Sequence, residues 1–197
     1  ACAVVLGAPP AAPGAACPPM LDRSDSRVQT TLKVEWPFLG TLKPRCVREI
    51  ATQNWALGCE TLDRDYIDYS IYKEYLAPLG IRKIRLQGGW AKTEQTPGVH
   101  DFAWLDAIID DARGRGLEIL LETGYGNPIY EGGGGRDLAG GFPTSAVALA
   151  AWDRWVAAMA THYKGKVRDW AMCNEPDINK AHTPADIGDF NIRTAEI

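Results

Sequence analysis

Glu175 is the side chain in this sequence best placed to do acid–base chemistry. It sits in Asn174-Glu175-Pro176, directly after residues 167–173, a segment that reads as a strand. A carboxyl group at the top of an apolar strand and close to aromatic residues is partly desolvated. Its acid form then persists nearer neutral pH and can hand a proton to a leaving oxygen. Pro176 removes a backbone donor and sets the turn, while Asn174 puts an amide beside the carboxyl, a group suited to a sugar hydroxyl. Taken alone, the triplet reads equally well as a strand-ending turn with solvated polar residues.

Further polar and aromatic side chains fall at the ends of the other strand-like segments. Glu60 follows the first; Arg85, Gln87 and Trp90 mark the second; Glu122, Tyr125, Asn127 and Tyr130 follow the third. Trp90, Tyr125 and Tyr130 offer faces that can stack on sugar C–H surfaces, and Tyr125 and Tyr130 read equally as loop packing. Glu122 has two readings, a ligand contact or an ion pair across the mouth. Trp104, Trp152 and Trp155 lie on helical apolar faces and read as core.

The elements that must position these groups alternate. The spacing predicts strands at 55–58, 81–86, 117–121 and 167–173. Helices are predicted over 63–79, after Asp101, after Thr144 or Ser145, and from Thr183-Pro184. Gly80, Gly114, Gly116 and Gly165 punctuate the helix ends. Strands alternating with helices imply parallel βαβ units, so the fold class is α/β and the site belongs at the C-terminal ends of the strands. Residues 1–50 read as a Pro/Ala-rich segment with an extension, and 51–197 as the barrel-like part. Four strands are about half of the eight in a (β/α)₈ barrel, which needs roughly 250 residues. A further half, or a self-association partner, is therefore expected to cover the open edges.

Composition narrows the ligand. The chain is 46% hydrophobic and 23% charged, with a net charge of −4 and no basic run, which disfavours nucleic acid and acidic membranes. No apolar stretch approaches the roughly 18 residues of a membrane span. His100, His162 and His182 have no ligand spacing and read as solvated, and the five cysteines show no C-x-x-C pair, so neither a metal nor any other cofactor is expected. A Cys2–Cys17 bridge is open to an exported form, and Cys173 reads as a small packing residue. Glycines at 124, 126 and 132–135 lack the spacing of a phosphate cradle and read as a mobile active-site loop.

Longer stretches carry a resemblance. Leu79-Gly80-Ile81-Arg82-Lys83-Ile84-Arg85-Leu86-Gln87-Gly88-Gly89-Trp90, Phe102-Ala103-Trp104-Leu105-Asp106, Tyr125-Gly126-Asn127-Pro128-Ile129-Tyr130 and Asn174-Glu175-Pro176 together resemble the clan A glycoside hydrolases, particularly the family 39 and β-xylosidase-like group. The resemblance spans about residues 55–180. It implies a (β/α)₈ barrel, with Glu175 as acid/base, Asn174 on the sugar 2-hydroxyl, and Arg85 supporting a nucleophile. It also implies a retaining two-carboxylate mechanism on a glycan. Separately, a secreted or periplasmic setting is expected, a cytoplasmic one remaining open. The group's nucleophile, a glutamate ending the seventh strand, matches no residue here, so the chain alone is expected to be inactive. The competing readings are a non-catalytic carbohydrate-binding half-barrel or scaffold that needs a partner, and a lyase-type barrel.

Overall fold

The computed structural model describes residues 45–178 and 180–197. The Pro/Ala-rich start and the Cys2–Cys17 pair lie outside the described residues.

Four parallel strands form one sheet in the order of the sequence: β1 (Ala56–Gly58), β2 (Lys83–Gln87), β3 (Glu118–Glu122) and β4 (Asp169–Ala171). The register aligns Arg85 with Gly58 and Leu120, and Glu122 with Gln87 and Ala171. Side chains alternate across β2 and β3. Ile84, Leu86, Ile119 and Leu121 are buried in the main core, whereas Lys83, Arg85, Gln87, Glu118 and Glu122 point to the opposite face. That face is ionic rather than apolar. At its lower end Lys83 Nζ contacts Asp169 and lies 4.0 Å from Glu118, whose other oxygen accepts from Arg82 at 2.7 Å.

Helices cover the apolar face. After two short helices, α1 (Lys73–Leu76) and α2 (Trp90–Thr93), α3 (Ala103–Gly114) buries Leu105, Ile109 and Ala112. Asp101 accepts from Ala103 N at 2.9 Å, so it supports the start of α3 from one residue before the cap position. The longest helix, α4 (Ala146–His162), is capped by Ser145 and buries Trp152, Trp155, Val156 and Met159, the predicted face. A capping box of Thr183 and Asp186 opens α5 (Pro184–Ala195), which docks Phe190 and Thr194.

One predicted element changes. The helix expected over 63–79 is instead two single 3-10 turns, at Leu62–Arg64 and Tyr69–Ile71, followed by the one turn of α1. Thr61 and Asp65 adopt left-handed backbone, which interrupts the helix; of the apolar residues at helical spacing, Ile67, Ile71, Tyr75, Leu76 and Leu79, Leu76 is buried but Ile67, Ile71 and Leu79 are 43%, 69% and 51% exposed. Gly89 explains part of this: its φ of +64° and its closeness to Asp63, whose Cβ lies 2.6 Å from where a side chain would begin, let the loop after β1 pack on the end of β2.

Candidate active site

The strand ends meet around one guanidinium. Arg85, from the middle of β2, donates from Nη1 to Glu60, which follows β1, and from Nη2 to Glu122, which ends β3. The same Nη2 donates to Asn174 Oδ1, beyond β4, at 2.6 Å. The other three strands thus each send a polar group to the single cation on β2. Asn174 passes the connection on, its Nδ2 lying 3.0 Å from Tyr125 OH and 3.3 Å from Glu175 Oε2.

Gln87 completes the cluster. Its carbonyl accepts from Thr61 N at 3.1 Å and from Arg64 Nη2 at 2.7 Å, and its amide donates to Tyr125 OH at 3.0 Å. Arg64 also lies 4.8 Å over the Tyr125 ring, a face predicted for sugar stacking. Arg64 was not among the sequence candidates; the available signal was an arginine in the loop four residues after Glu60.

The desolvated carboxyl of this site is Glu122, a correction to the expectation for Glu175. Glu122 is wholly buried and one of its oxygens has no hydrogen-bond partner. Burial pushes its pKa up to about 7; the charge of Arg85 opposes that rise and Glu60 adds to it. Glu175 is exposed, four residues beyond the end of β4 on a backbone with φ of +39°. The physical reason is position: β4 is one of the two outer strands, so among the described residues no strand beyond it shields the turn that follows it.

Beside Glu175 runs a narrow crevice walled by Tyr125, Phe142, Asn174, Pro176, His182 and Phe190, with about 20 Å³ of open volume, space for one water. His182, expected to be solvated, instead stacks on Phe142 with ring centroids 3.6 Å apart, and Phe142 stacks on Phe190 at 4.3 Å. The other histidines also have partners: His100 lies 3.3 Å from Glu94 and His162 lies 2.7 Å from Asp106. Burial and the charge of Glu122 push the Cys173 thiol up to about 11, which keeps it a thiol and fits the packing reading. Among the described residues no group of three or more His, Cys, Asp or Glu side chains is arranged to hold a metal ion, and no helix is long and apolar enough to cross a membrane.

Three predicted ligand residues go elsewhere. Trp90 is fully buried, its ring 5.6 Å from Tyr130 and 5.4 Å from Trp152. Its indole N–H donates to Glu94 at 2.5 Å, as does the Tyr130 hydroxyl, while Asn127 Nδ2 donates to the Glu94 carbonyl at 2.8 Å. Trp90, Asn127 and Tyr130 are therefore members of a buried network centred on Glu94, not of the mouth. The sequence signal for this was Glu94 itself, one turn after Trp90. The Gly-rich loop is also packed rather than loose: Asn127 N reaches Gly133 O at 2.8 Å, and a side chain at Gly126 would begin 2.3 Å from that same oxygen.

Comparisons with known proteins agree with this architecture. The family model Glyco_hydro_42, described as Beta-galactosidase, matches residues 72–129. A 6-phospho-beta-glucosidase of Clostridium longisporum is 29% identical over 59% of this chain, which covers 25% of that protein. An exo-beta-1,4-mannosidase from Opitutaceae bacterium strain TAV5 superposes with a TM-score of 0.55 at 18% identity, over 73% of this chain and 29% of its own. A monomeric beta-xylosidase from Caulobacter crescentus CB15 gives 0.54 at 20% identity, over 72% and 32%. A family 39 enzyme from Xanthomonas axonopodis pv. citri gives 0.51 at 20%, over 72% and 32%. The chain spans about a quarter of the length of the curated relative it matches and less than a third of these structures. It has the α/β fold of the first four units of a (β/α)₈ barrel and resembles the clan A glycoside hydrolases, the family 39 group included.

Proposed function

We propose that this chain carries the acid/base half of a retaining β-glycosidase site, with Glu175 as the proton donor to the departing oxygen and Asn174 as the amide that binds the adjacent sugar hydroxyl. The observation that supports this best is the Arg85–Asn174 hydrogen bond of 2.6 Å, which fixes the residue next to Glu175 to the centre of the strand cluster. Glu175 itself stands at the open rim, beside a crevice, on the turn that follows β4. In the retaining mechanism one carboxyl protonates the leaving oxygen and a second, about 5 Å away, attacks the anomeric carbon. Glu60 and Glu122 are both engaged with Arg85, so the attacking carboxylate is assigned to a residue outside these 197. On this reading the chain alone binds but does not turn over a glycoside.

A secreted or periplasmic setting is part of the proposal. The test is a panel of 4-nitrophenyl β-glycosides (xyloside, glucoside, galactoside, mannoside) offered to the full-length native protein, with the anomer of the first-formed product read by NMR. Release from one or more members with retention is expected. Release with inversion would remove the retaining mechanism, and no release from any member would remove the glycosidase reading.

A further inference from the structure

The two side-chain amides at the mouth cannot be turned round, and this determines what the Tyr125 hydroxyl must do. Asn174 Oδ1 receives Arg85 Nη2 at 2.6 Å, and a guanidinium only donates, so the oxygen of that amide faces Arg85 and its nitrogen faces Tyr125. Gln87 Oε1 receives a backbone N–H from Thr61 at 3.1 Å and Arg64 at 2.7 Å, both obligatory donors, so its nitrogen also faces Tyr125. The phenol oxygen therefore accepts two N–H bonds, each 3.0 Å long, which fill both of its lone pairs. Its own proton has no acceptor among the described residues. Two further buried atoms of this cluster, Glu122 Oε1 and Arg64 Nε, make no hydrogen bond among the described residues.

We propose that the Tyr125 hydroxyl is a dedicated hydrogen-bond donor to a ligand oxygen, the sugar hydroxyl served by Asn174, and that its ring is not a stacking platform. The inference rests on the glycosidase reading and deepens it. Tyr125 is only 6% exposed and lines the crevice beside Glu175, and Arg64 already occupies a face of its ring at 4.8 Å. A buried donor left without a partner is costly, which favours a ligand that supplies the acceptor. Burial raises the phenol pKa against the lowering influence of Asn174, Arg64 and Gln87, so the proton stays on oxygen at neutral pH. The charged groups that face or adjoin this hydroxyl are Arg64, Glu122 and, through Asn174, Arg85 and Glu175.

The test replaces Tyr125 by 3,5-difluorotyrosine in the full-length native protein. That residue keeps both amide contacts but ionises far closer to neutrality than tyrosine. As the pH rises through the lowered phenol pKa, donation stops while acceptance from Gln87 and Asn174 strengthens. We expect kcat/KM for the best aryl β-glycoside of the panel to fall about tenfold on that alkaline limb, relative to the wild-type profile, since one hydrogen bond of ordinary strength corresponds to roughly that factor. Tyr125→Phe should show the same loss at all pH values. A difluorotyrosine profile that follows wild type, or rises, would show that the hydroxyl only holds the two amides, and would overturn this inference while leaving the glycosidase reading intact. If no glycoside is turned over, binding of the corresponding monosaccharides by calorimetry replaces kcat/KM; absence of binding as well as turnover overturns both.

Discussion

Arg85 Nη2 and Asn174 Oδ1 lie 2.6 Å apart although 89 residues separate them in the chain, so the middle of β2 and the turn beyond β4 are joined by one charged hydrogen bond. Because that guanidinium also neutralises buried Glu122, the bond serves position and stability together.

Arg85→Met is therefore expected to destabilise the fold by about 3 kcal/mol at pH 8, the scale for leaving a buried charge without its partner. At pH 5 the loss is smaller, because Glu122, whose pKa already stands at about 7 with Arg85 present, is then neutral. Denaturant unfolding at the two pH values measures this; an equal loss at both would show that Glu122 plays no part.

The raised pKa of Glu122 has its own signature. A carboxyl pushed up to about 7 from an ordinary 4.5 binds more protons in the folded state than in the unfolded state between those values, so it removes stability as pH rises across that window. Glu122→Gln, whose oxygen still accepts from Arg85, should gain stability relative to the native protein on going from pH 5 to pH 8, by at most about 3 kcal/mol. Thermal melts of both proteins across that range test the sign; a stability difference that does not change with pH contradicts it.

Trp90→Phe should lower stability by about 2 kcal/mol, through lost packing volume and the loss of one hydrogen bond to Glu94, and leave KM for a glycoside unchanged. A raised KM with unaltered stability would return Trp90 to the ligand-facing set.

How far the sequence could be read follows from which interactions are local. The strands at 83–87 and 118–122 and the buried face of α4 are legible because apolar periodicity depends on neighbours a few residues away. Arg85, Glu122 and Asn174 are likewise legible as strand-end polar groups, and the structure brings them together. The network around Glu94 is not, since nothing local distinguishes Trp90, Asn127 and Tyr130 as buried partners rather than loop aromatics and amides. What decides it is Glu94 accepting from Gly98, Trp90 and Tyr130 at once, a tertiary fact. The 63–79 segment misleads for the opposite reason: its spacing is helical, but left-handed Thr61 and Asp65 and the packing of Asp63 on Gly89 override it.

The most direct test of the account is the dependence of Glu175→Ala on leaving group, measured on the full-length native protein. If Glu175 donates the proton, substrates with poorly activated leaving groups, such as phenyl or alkyl β-glycosides, should lose 10²–10⁴ in kcat/KM, the usual worth of a general acid. A 2,4-dinitrophenyl glycoside, which needs no protonation to depart, should lose far less at the glycosylation step, and added azide should restore turnover as the glycosyl azide. A uniform loss across all leaving groups, with no effect of azide, would contradict the assignment of the proton to Glu175.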